Sequence, residues 1–515
     1  MIRTVEQYLE SLRDGRVIYN SGERVKDVTT HPILRRVVRA GCMDYALTND
    51  PEHRDLFVTK NEKGEDVHFL WTTPKTSEDL IRKRNVYIEG CRYGGVGLHS
   101  MGVDALAASR VVAGRMDKKL GTNYTEHVEH FREQLQSTDD GITGAQTDVK
   151  GDRSIHPASQ VQHKDFYVRI VDRQKDGIVV TGAKYHISST PACNGAIVLP
   201  CRTHQEPDKD YAVVFYTPLN AKGITLISSE PTIRGLSTEE TYWDYPASAQ
   251  GGIGDGECMI VFEDVFVPWE NVFQAGEWQF SRDIAYAFGT FHRLFACCRM
   301  VPAMENLTGA AALMAEYNGL EKYSHIQNKL AWLANVTESL KALSEAACMF
   351  PDKEPEADLV VPNGMLTNIA KYMYADNYHE ATKIAQDIAG GILADPIQFR
   401  DWNNPEERPL LEKYLAGKAG VPTEHRLKAI RYLKDITGGQ HGSHNIHAEG
   451  SLAAQLKMFY FDADWDMYKA RAKRAISIPG WEKHPAVRAT RNFSALVEPK
   501  MRPVDTSYKN VPYTV

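Results

Sequence analysis

The stretch Thr147-Asp148-Val149-Lys150-Gly151-Asp152-Arg153-Ser154, followed by Gly177-Ile178-Val179-Val180-Thr181-Gly182-Ala183-Lys184, decides how the rest of the chain is read. The first block is a polar, glycine-bearing loop that gathers backbone N–H groups, two carboxylates and an arginine into one tight turn. The second is a turn entering a β-branched strand that ends at Gly-Ala-Lys. Between them, Asp165-Phe166-Tyr167-Val168-Arg169-Ile170-Val171 reads as another strand. A polar loop feeding a small β-region is also what an ordinary surface turn looks like, so its meaning depends on what flanks it.

Residues 1–143 read as mostly helical. Thr76-Ser77-Glu78-Asp79-Leu80 supplies an N-cap with acids in the first turn. Leu80 to Glu89 has amphipathic spacing, the glycine-rich run 90–97 interrupts it, and Val103 to Met116 resumes it. Residues 144–279 read as strands bounded by Gly, Pro, Asn or Asp: Phe166–Val171, Gly177–Gly182, Gly195–Leu199, Tyr211–Tyr216, Gly223–Ile227 and Cys258–Phe262. Their spacing predicts a small β-barrel or sandwich. Residues 280–480 read as long helices: Arg293 to Tyr317, Tyr323 to Phe350, Met373 to Asp387, one starting at Pro422, and Ser451 to Ala475. A loop over 351–363 separates two of them. Such a series implies an antiparallel bundle. Residues 481–515 read as a tail. The expected class is α+β, mainly α, with an N-terminal helical domain, a middle β-barrel or sandwich and a C-terminal four-helix bundle.

The 515-residue chain is 43% hydrophobic and 25% charged, which predicts a soluble globular protein with a sizeable core. Its net charge is −7, and its Lys and Arg are scattered, which argues against a nucleic-acid surface. No apolar run approaches the ~20 residues of a membrane span. The polar start, Met1 to Gln7, lacks the apolar segment of a signal peptide. A cytoplasmic protein without a membrane partner is expected. The eight cysteines contain no C-x-x-C, and the adjacent Cys297 and Cys298 suit tetrahedral chelation poorly, so they read as buried reduced thiols. His441, His444 and His447 recur at a spacing of three, but Gly442, Ser443 and Asn445 between them read as loop. No metal site is predicted.

Six further segments, in order along most of the chain, carry a resemblance. They are Glu257 to Trp269; Phe291-His292-Arg293; Gly309 to Gly319; Ala385-Gln386-Asp387-Ile388-Ala389-Gly390-Gly391; Val421 to Arg426; and Ile446-His447-Ala448-Glu449-Gly450-Ser451. With the 147–154 loop, they resemble the FAD-dependent family that groups 4-hydroxyphenylacetate 3-hydroxylase (oxygenase component) with 4-hydroxybutyryl-CoA dehydratase. The resemblance implies an acyl-CoA dehydrogenase-like fold, a bound FAD and a homotetramer. It implies flavin contacts at Gln146, Asp148, Arg153, Ser154, Lys184, Ser188, Gln386, Gly390, Gly391, His447, Gly450 and Ser451. A di-glycine at a helix end lets backbone N–H groups approach a pyrophosphate, although it also simply ends helices. Arg153 either meets the cofactor or pairs with Asp148 or Asp152.

The chain departs from both branches. The dehydratase branch holds a [4Fe–4S] cluster with three Cys and one His. His292 matches the His, but Arg299 stands at one Cys position, and Val96 and Ser100 precede Gly102-Val103-Asp104-Ala105 where the other two belong. No iron–sulfur cluster is expected, since thiolates are what hold one. The hydroxylase branch's phenol motif Arg-x-Pro-Asp-Tyr reads Val103-Asp104-Ala105-Leu106-Ala107, and its histidine falls near Gly144. His99 and Tyr93 are alternative polar groups nearby.

Three residues are expected to carry catalysis. His292 has the imidazole chemistry for general acid–base work. Glu257 precedes an apolar strand, and Glu449 sits in a polar turn before a helix. Each also has a structural alternative: a hydrogen-bonded histidine, a solvated strand end and a cap. The expected function is a reduced-flavin-dependent monooxygenase acting on an aromatic or other electron-rich small molecule. A separate reductase would supply FADH2, because no G-x-G-x-x-G nicotinamide motif is found. The alternatives are a cluster-free acyl-CoA flavoenzyme and a non-catalytic flavin-binding scaffold.

Overall fold

The computed structural model describes residues 1–515 except Val96, 230–255, 439–445, 447–448, Ser477 and 489–515. The chain divides into a unit spanning Met1–Leu456 and a second spanning Lys457–Val515. In the first, the leading residues form α1 (Val5–Ser11), β1 (Ile18–Asn20), β2 (Glu23–Arg24), α2 (Arg35–Asn49) and α3 (Arg54–Phe57). The hairpin β3 (Val58–Lys60) and β4 (Asp66–His68) leads to α4 (Ser77–Arg92), α5 (Leu98–Leu120) and α6 (Tyr124–Thr138). Thr76 caps α4 with a reciprocal bond to Asp79, as expected from the Thr-x-x-Asp spacing. The helix runs through Gly90 to Arg92, beyond the predicted stop, because that face is buried and packing outweighs the glycine's propensity cost. Helix α5 begins at Leu98, five residues earlier than its apolar periodicity suggested.

The strands that follow are β5 (Ile142–Ala145), β6 (Arg169–Arg173), β7 (Gly177–Ile187), β8 (Gly195–Val198), β9 (Val213–Pro218), β10 (Ile224–Ser228), β11 (Cys258–Pro268) and β12 (Val272–Ala275). They form two sheets, β2-β1-β10-β11-β7-β6 and β12-β9-β8-β5. Alternating apolar residues from both sheets meet in one core, where Phe215 of β9 and Phe262 of β11 pack edge to face at 6.0 Å. The sequence missed β1, which pairs in parallel with β10 through Ile18↔Leu226. Three residues are too few for periodicity to register, and the strand exists only because the sheet edge is there to receive it.

Helix α7 (Ser281–Tyr317) has 37 residues, a length of about 55 Å, and is buried along most of its course. Around it lie α8 (Ser324–Met349), α9 (Gly364–Ala389) and α12 (Thr423–Gly438), with the short α10 (Phe399–Asn403) and α11 (Arg408–Tyr414) between the last two. The 351–363 segment, expected as a loop, is a hairpin of β13 (Asp352–Glu354) and β14 (Leu359–Val361). The predicted helix from Ser451 to Ala475 is two, Leu452–Asp462 and Trp465–Ala475, because the Asp464 carboxylate accepts from the Met467 N–H and starts a new helix. No helix among the described residues is long and apolar enough to cross a membrane.

Two contacts fix how the β-region meets the helices. Gly102 of α5 lies so close to β5 that a Cβ there would sit 2.5 Å from the Ile142 Cβ. His204, after β8, donates its N–H to the Ser281 hydroxyl at the start of α7, 2.8 Å away. Gly102→Ala should destabilise the protein by about 1–2 kcal/mol, overpacking outweighing the gain in helix propensity; chemical denaturation measures it. Burial pushes the His204 imidazole down to about 4, with Asp208 pulling the other way. Between pH ~6.5 and ~4 the unfolded chain therefore binds a proton that the folded chain does not, and stability falls as pH falls through that window. His204→Gln should remove about 3 kcal/mol of that pH dependence, read from denaturation midpoints of both proteins across the window.

Candidate active site

Helix α7 carries Phe288, His292 and Phe295 at spacings of four and three, which places them on one face. Both phenyl rings stack near His292, with centroids 4.9 and 5.7 Å away and planes 18° and 24° from parallel. The imidazole is 16% exposed. Its Nδ1 lies 3.3 Å from Asp104 Oδ2 on α5, and its Nε2 lies 3.8 Å from Glu449 Oε1. Asp104 is fully buried; Tyr87 of α4 donates to its Oδ1 at 2.8 Å, and Lys83 Nζ lies 3.2 Å from the same oxygen. Burial lowers the Lys83 pKa, and Asp104 opposes that shift. The ammonium also sits over the rings of Phe291 and Tyr87, 5.0 and 5.6 Å from their centroids. Glu449 has the left-handed φ of +57°, a strained conformation for a residue with a side chain. Its carbonyl accepts from Arg293 Nε at 3.2 Å. The turn it makes is thus pinned to the helix that carries His292.

Glu257 belongs to the sheet side. Ser188, after β7, donates its hydroxyl to Glu257 Oε1 at 2.7 Å, and Thr143 of β5 donates to the Ser188 carbonyl at 3.0 Å. The next residue, Gly144, faces Phe288: a Cβ there would lie 3.0 Å from the ring. The Glu257 group and the His292 group therefore meet through β5 and Phe288. Phe288 fills the space that a side chain at Gly144 would need.

The expected cofactor residues fall into three sets. Lys184 and Asp148 are buried and serve the protein: Lys184 Nζ reaches Asp148 Oδ1 at 2.7 Å and the carbonyls of Gln146 and Leu199 at 2.9 and 2.7 Å. They hold the 147–154 loop onto the sheet. Arg153 and Ser154 are exposed, and Asp152 accepts from both the N–H and the hydroxyl of Ser154. At the far end of α9, Gly390 with φ +78° and Gly391 are exposed with open space around them, while Gln386 donates to the Thr437 carbonyl. Ser451 caps its helix by accepting from the Ala454 N–H, and Gln455 donates to the Gly450 carbonyl. His447, with His441 and His444, lies outside the described residues.

Sequence reasoning passed over Asp104, Lys83, Tyr87 and Phe288, because no local pattern says that three helices converge. His99, one of the two alternative polar groups, lies in a buried cluster beside the start of α5 whose other members the sequence did not point to. There His68 and His99 stack at 4.1 Å, and Asp139 lies 3.1 Å from His99 Nε2 and accepts from Trp71 Nε1. Burial would raise the Asp139 pKa, but His99, His68 and the Arg3 N–H bring it down to about 2.

These donors fit a flavin better than an iron–sulfur cluster. Open glycines, an exposed serine and arginine, and side-chain hydroxyls suit a pyrophosphate and a ring bearing carbonyl and N–H groups. For a cluster, His292 is the sole matching ligand: Ser100 is a buried hydroxyl and Arg299 a buried guanidinium. No group of three metal-ligating side chains occurs among the described residues.

Comparison with known proteins gives the class. Family profiles described as 4-hydroxyphenylacetate 3-hydroxylase N terminal and C terminal match residues 4–274 and 281–477. The chain belongs to this family of enzymes. It is 30% identical to 4-hydroxybutyryl-CoA dehydratase/vinylacetyl-CoA-Delta-isomerase of Clostridium aminobutyricum, over 93% of this chain and 100% of that one. Among solved structures it resembles the oxygen-tolerant archaeal 4-hydroxybutyryl-CoA dehydratase of N. maritimus, with a TM-score of 0.87 and 29% identity over 96% of this chain and 100% of that one. It also resembles the oxygenase component of 4-hydroxyphenylacetate 3-monooxygenase complexed with FAD and 4-hydroxyphenylacetate, with a TM-score of 0.81 and 26% identity over 92% and 98%.

Lys184→Met should cost about 3–5 kcal/mol, because it leaves the buried Asp148 carboxylate without its cation. A loss of stability below 1 kcal/mol on denaturation would mean that Lys184 does not brace this loop.

Proposed function

We propose that this chain is an FAD-dependent monooxygenase that takes reduced flavin from a separate reductase and hydroxylates an electron-rich small molecule. The observation that carries this reading is the His292 site, an imidazole between two carboxylates and two phenyl rings, with no set of cysteines able to hold a metal beside it among the described residues. Bound reduced flavin supplies the electrons and the reaction with oxygen; the chain supplies proton handling and a dry wall. His292 holds a proton between Asp104 and Glu449, within reach of both carboxylates. Glu257, steadied by Ser188, accepts or returns a proton on the sheet side. Phe288 and Phe295 flank the imidazole and cover most of it, which strengthens the charge interactions around it. With Phe288 packed against Gly144, the substrate is not held in the phenol manner of the hydroxylase branch.

Gln146, Arg153, Ser154, Ser188, Gln386, Gly390, Gly391, His447, Gly450 and Ser451 are the residues we assign to the flavin, with Lys184 and Asp148 supporting them. We further infer an acyl-CoA dehydrogenase-like arrangement with domains at 1–143, 144–279 and 280–480 and a tail at 481–515, assembled as a cytoplasmic homotetramer. A second reading, isomerisation or desaturation of an acyl-CoA thioester with bound FAD, draws support from the similarity to the Clostridium dehydratase/isomerase. The same His292 and glutamates would then move protons on the acyl chain.

Stopped-flow spectroscopy separates the two. Protein loaded anaerobically with reduced FAD and mixed with oxygenated buffer should show a long-lived species spectrally distinct from both reduced and oxidised flavin. Immediate appearance of oxidised flavin and hydrogen peroxide would refute oxygen activation and turn the assay to unsaturated acyl-CoA thioesters under argon.

A further inference from the structure

Asp104 has no solvent contact and no role in the expected catalytic set, yet it touches the one partly exposed imidazole of α7. Its two oxygens are used differently. Oδ1 accepts from the Tyr87 hydroxyl at 2.8 Å and faces Lys83 Nζ at 3.2 Å. Oδ2 faces His292 Nδ1 at 3.3 Å. Lys83 and Tyr87 are four residues apart on α4 and present their polar ends to the same point. With both donors on one side, the carboxylate cannot turn, and its second oxygen is always offered to His292.

An ionised carboxylate only accepts hydrogen bonds. Beside Asp104, His292 Nδ1 must therefore carry a proton, whether the ring is neutral or charged. The nitrogen that gains and loses a proton is Nε2, which faces Glu449 at 3.8 Å. The geometry points to Asp104 as a positioning residue that fixes the Nδ1–H tautomer of His292, with Lys83 and Tyr87 setting the direction of its carboxylate. The inference rests on His292 being the proton carrier proposed above. A merely structural Asp104, present to neutralise Lys83, would leave the tautomer of His292 unconstrained.

The direction of the Lys83–Tyr87 pair makes Asp104→Asn informative. Both donors require an acceptor, so the new amide must turn its oxygen toward them and its NH2 toward His292. The amide NH2 then donates to Nδ1 and forces the opposite tautomer, with the proton on Nε2. The loss should be about 100-fold in kcat, the range of a removed general acid–base.

The test is 15N NMR of histidine-labelled protein, with the His292 signals assigned by their absence from His292→Gln. In the neutral ring of the unsubstituted protein, Nδ1 should give the protonated-type shift and Nε2 the acceptor-type shift; Asp104→Asn should exchange the two. Finding the neutral ring of the unsubstituted protein protonated on Nε2 overturns the proposal, and this arm needs no variant to fold. A folded Asp104→Asn that keeps the original shifts also overturns it. The readout uses neither flavin nor substrate, so a failed oxygen-activation experiment would remove the proposed activity and leave this result standing.

Discussion

A carboxylate sealed from water must be satisfied entirely by the protein, and Asp104 is satisfied by three side chains from two neighbouring helices. That requirement ties α4, α5 and α7 together at one point. A charge buried this way contributes little net stability, but removing one partner is costly, so the group tolerates few alternative packings. The helices are held at the register in which His292 emerges between Phe288 and Phe295. Around that point the packing is apolar: Phe291, Leu294 and Phe295 of α7 are all buried, each worth roughly 1.5–3 kcal/mol when removed from water.

The same design recurs where the β-region meets the helices. Lys184 and Asp148 are a buried ion pair whose ammonium also serves two carbonyls, so the loop that precedes the sheet is fixed by chemistry inside the protein. The Asp139 cluster pins the start of α5 through two imidazoles and an indole. Each of these networks is buried. A rigid inner layer of this kind is what holds reacting groups within tenths of an ångström of a working geometry.

How far apart in sequence two partners lie explains what was legible. Thr76 and Asp79 announced a helix start because capping is a local interaction, complete within four residues. The strands of the middle region were found because alternation and turn residues are local too, although their ends extended wherever a neighbour offered a partner, as β7 did to Ile187 and β11 to Pro268. Lys184 was picked out by its place in a motif, but its side chain direction depends on Leu199 and Gln146, which lie 15 and 38 residues away. Nothing local carries that information.

The sequence by itself determined the order of textures, the family and the identity of His292, Glu257 and Glu449 as candidates, because motif spacing and apolar period are written along the chain. It also determined that three positions offered to a cluster in one branch hold Val96, Ser100 and Arg299. Only the tertiary structure decided which groups share a site. Asp104 meets His292 across 188 residues, and Arg293 meets the Glu449 turn across 156. Such pairings depend on helices packing through faces whose partners the local pattern cannot name. Partner choice is settled by burying apolar surface everywhere at once, and the polar contacts in the core follow from that solution.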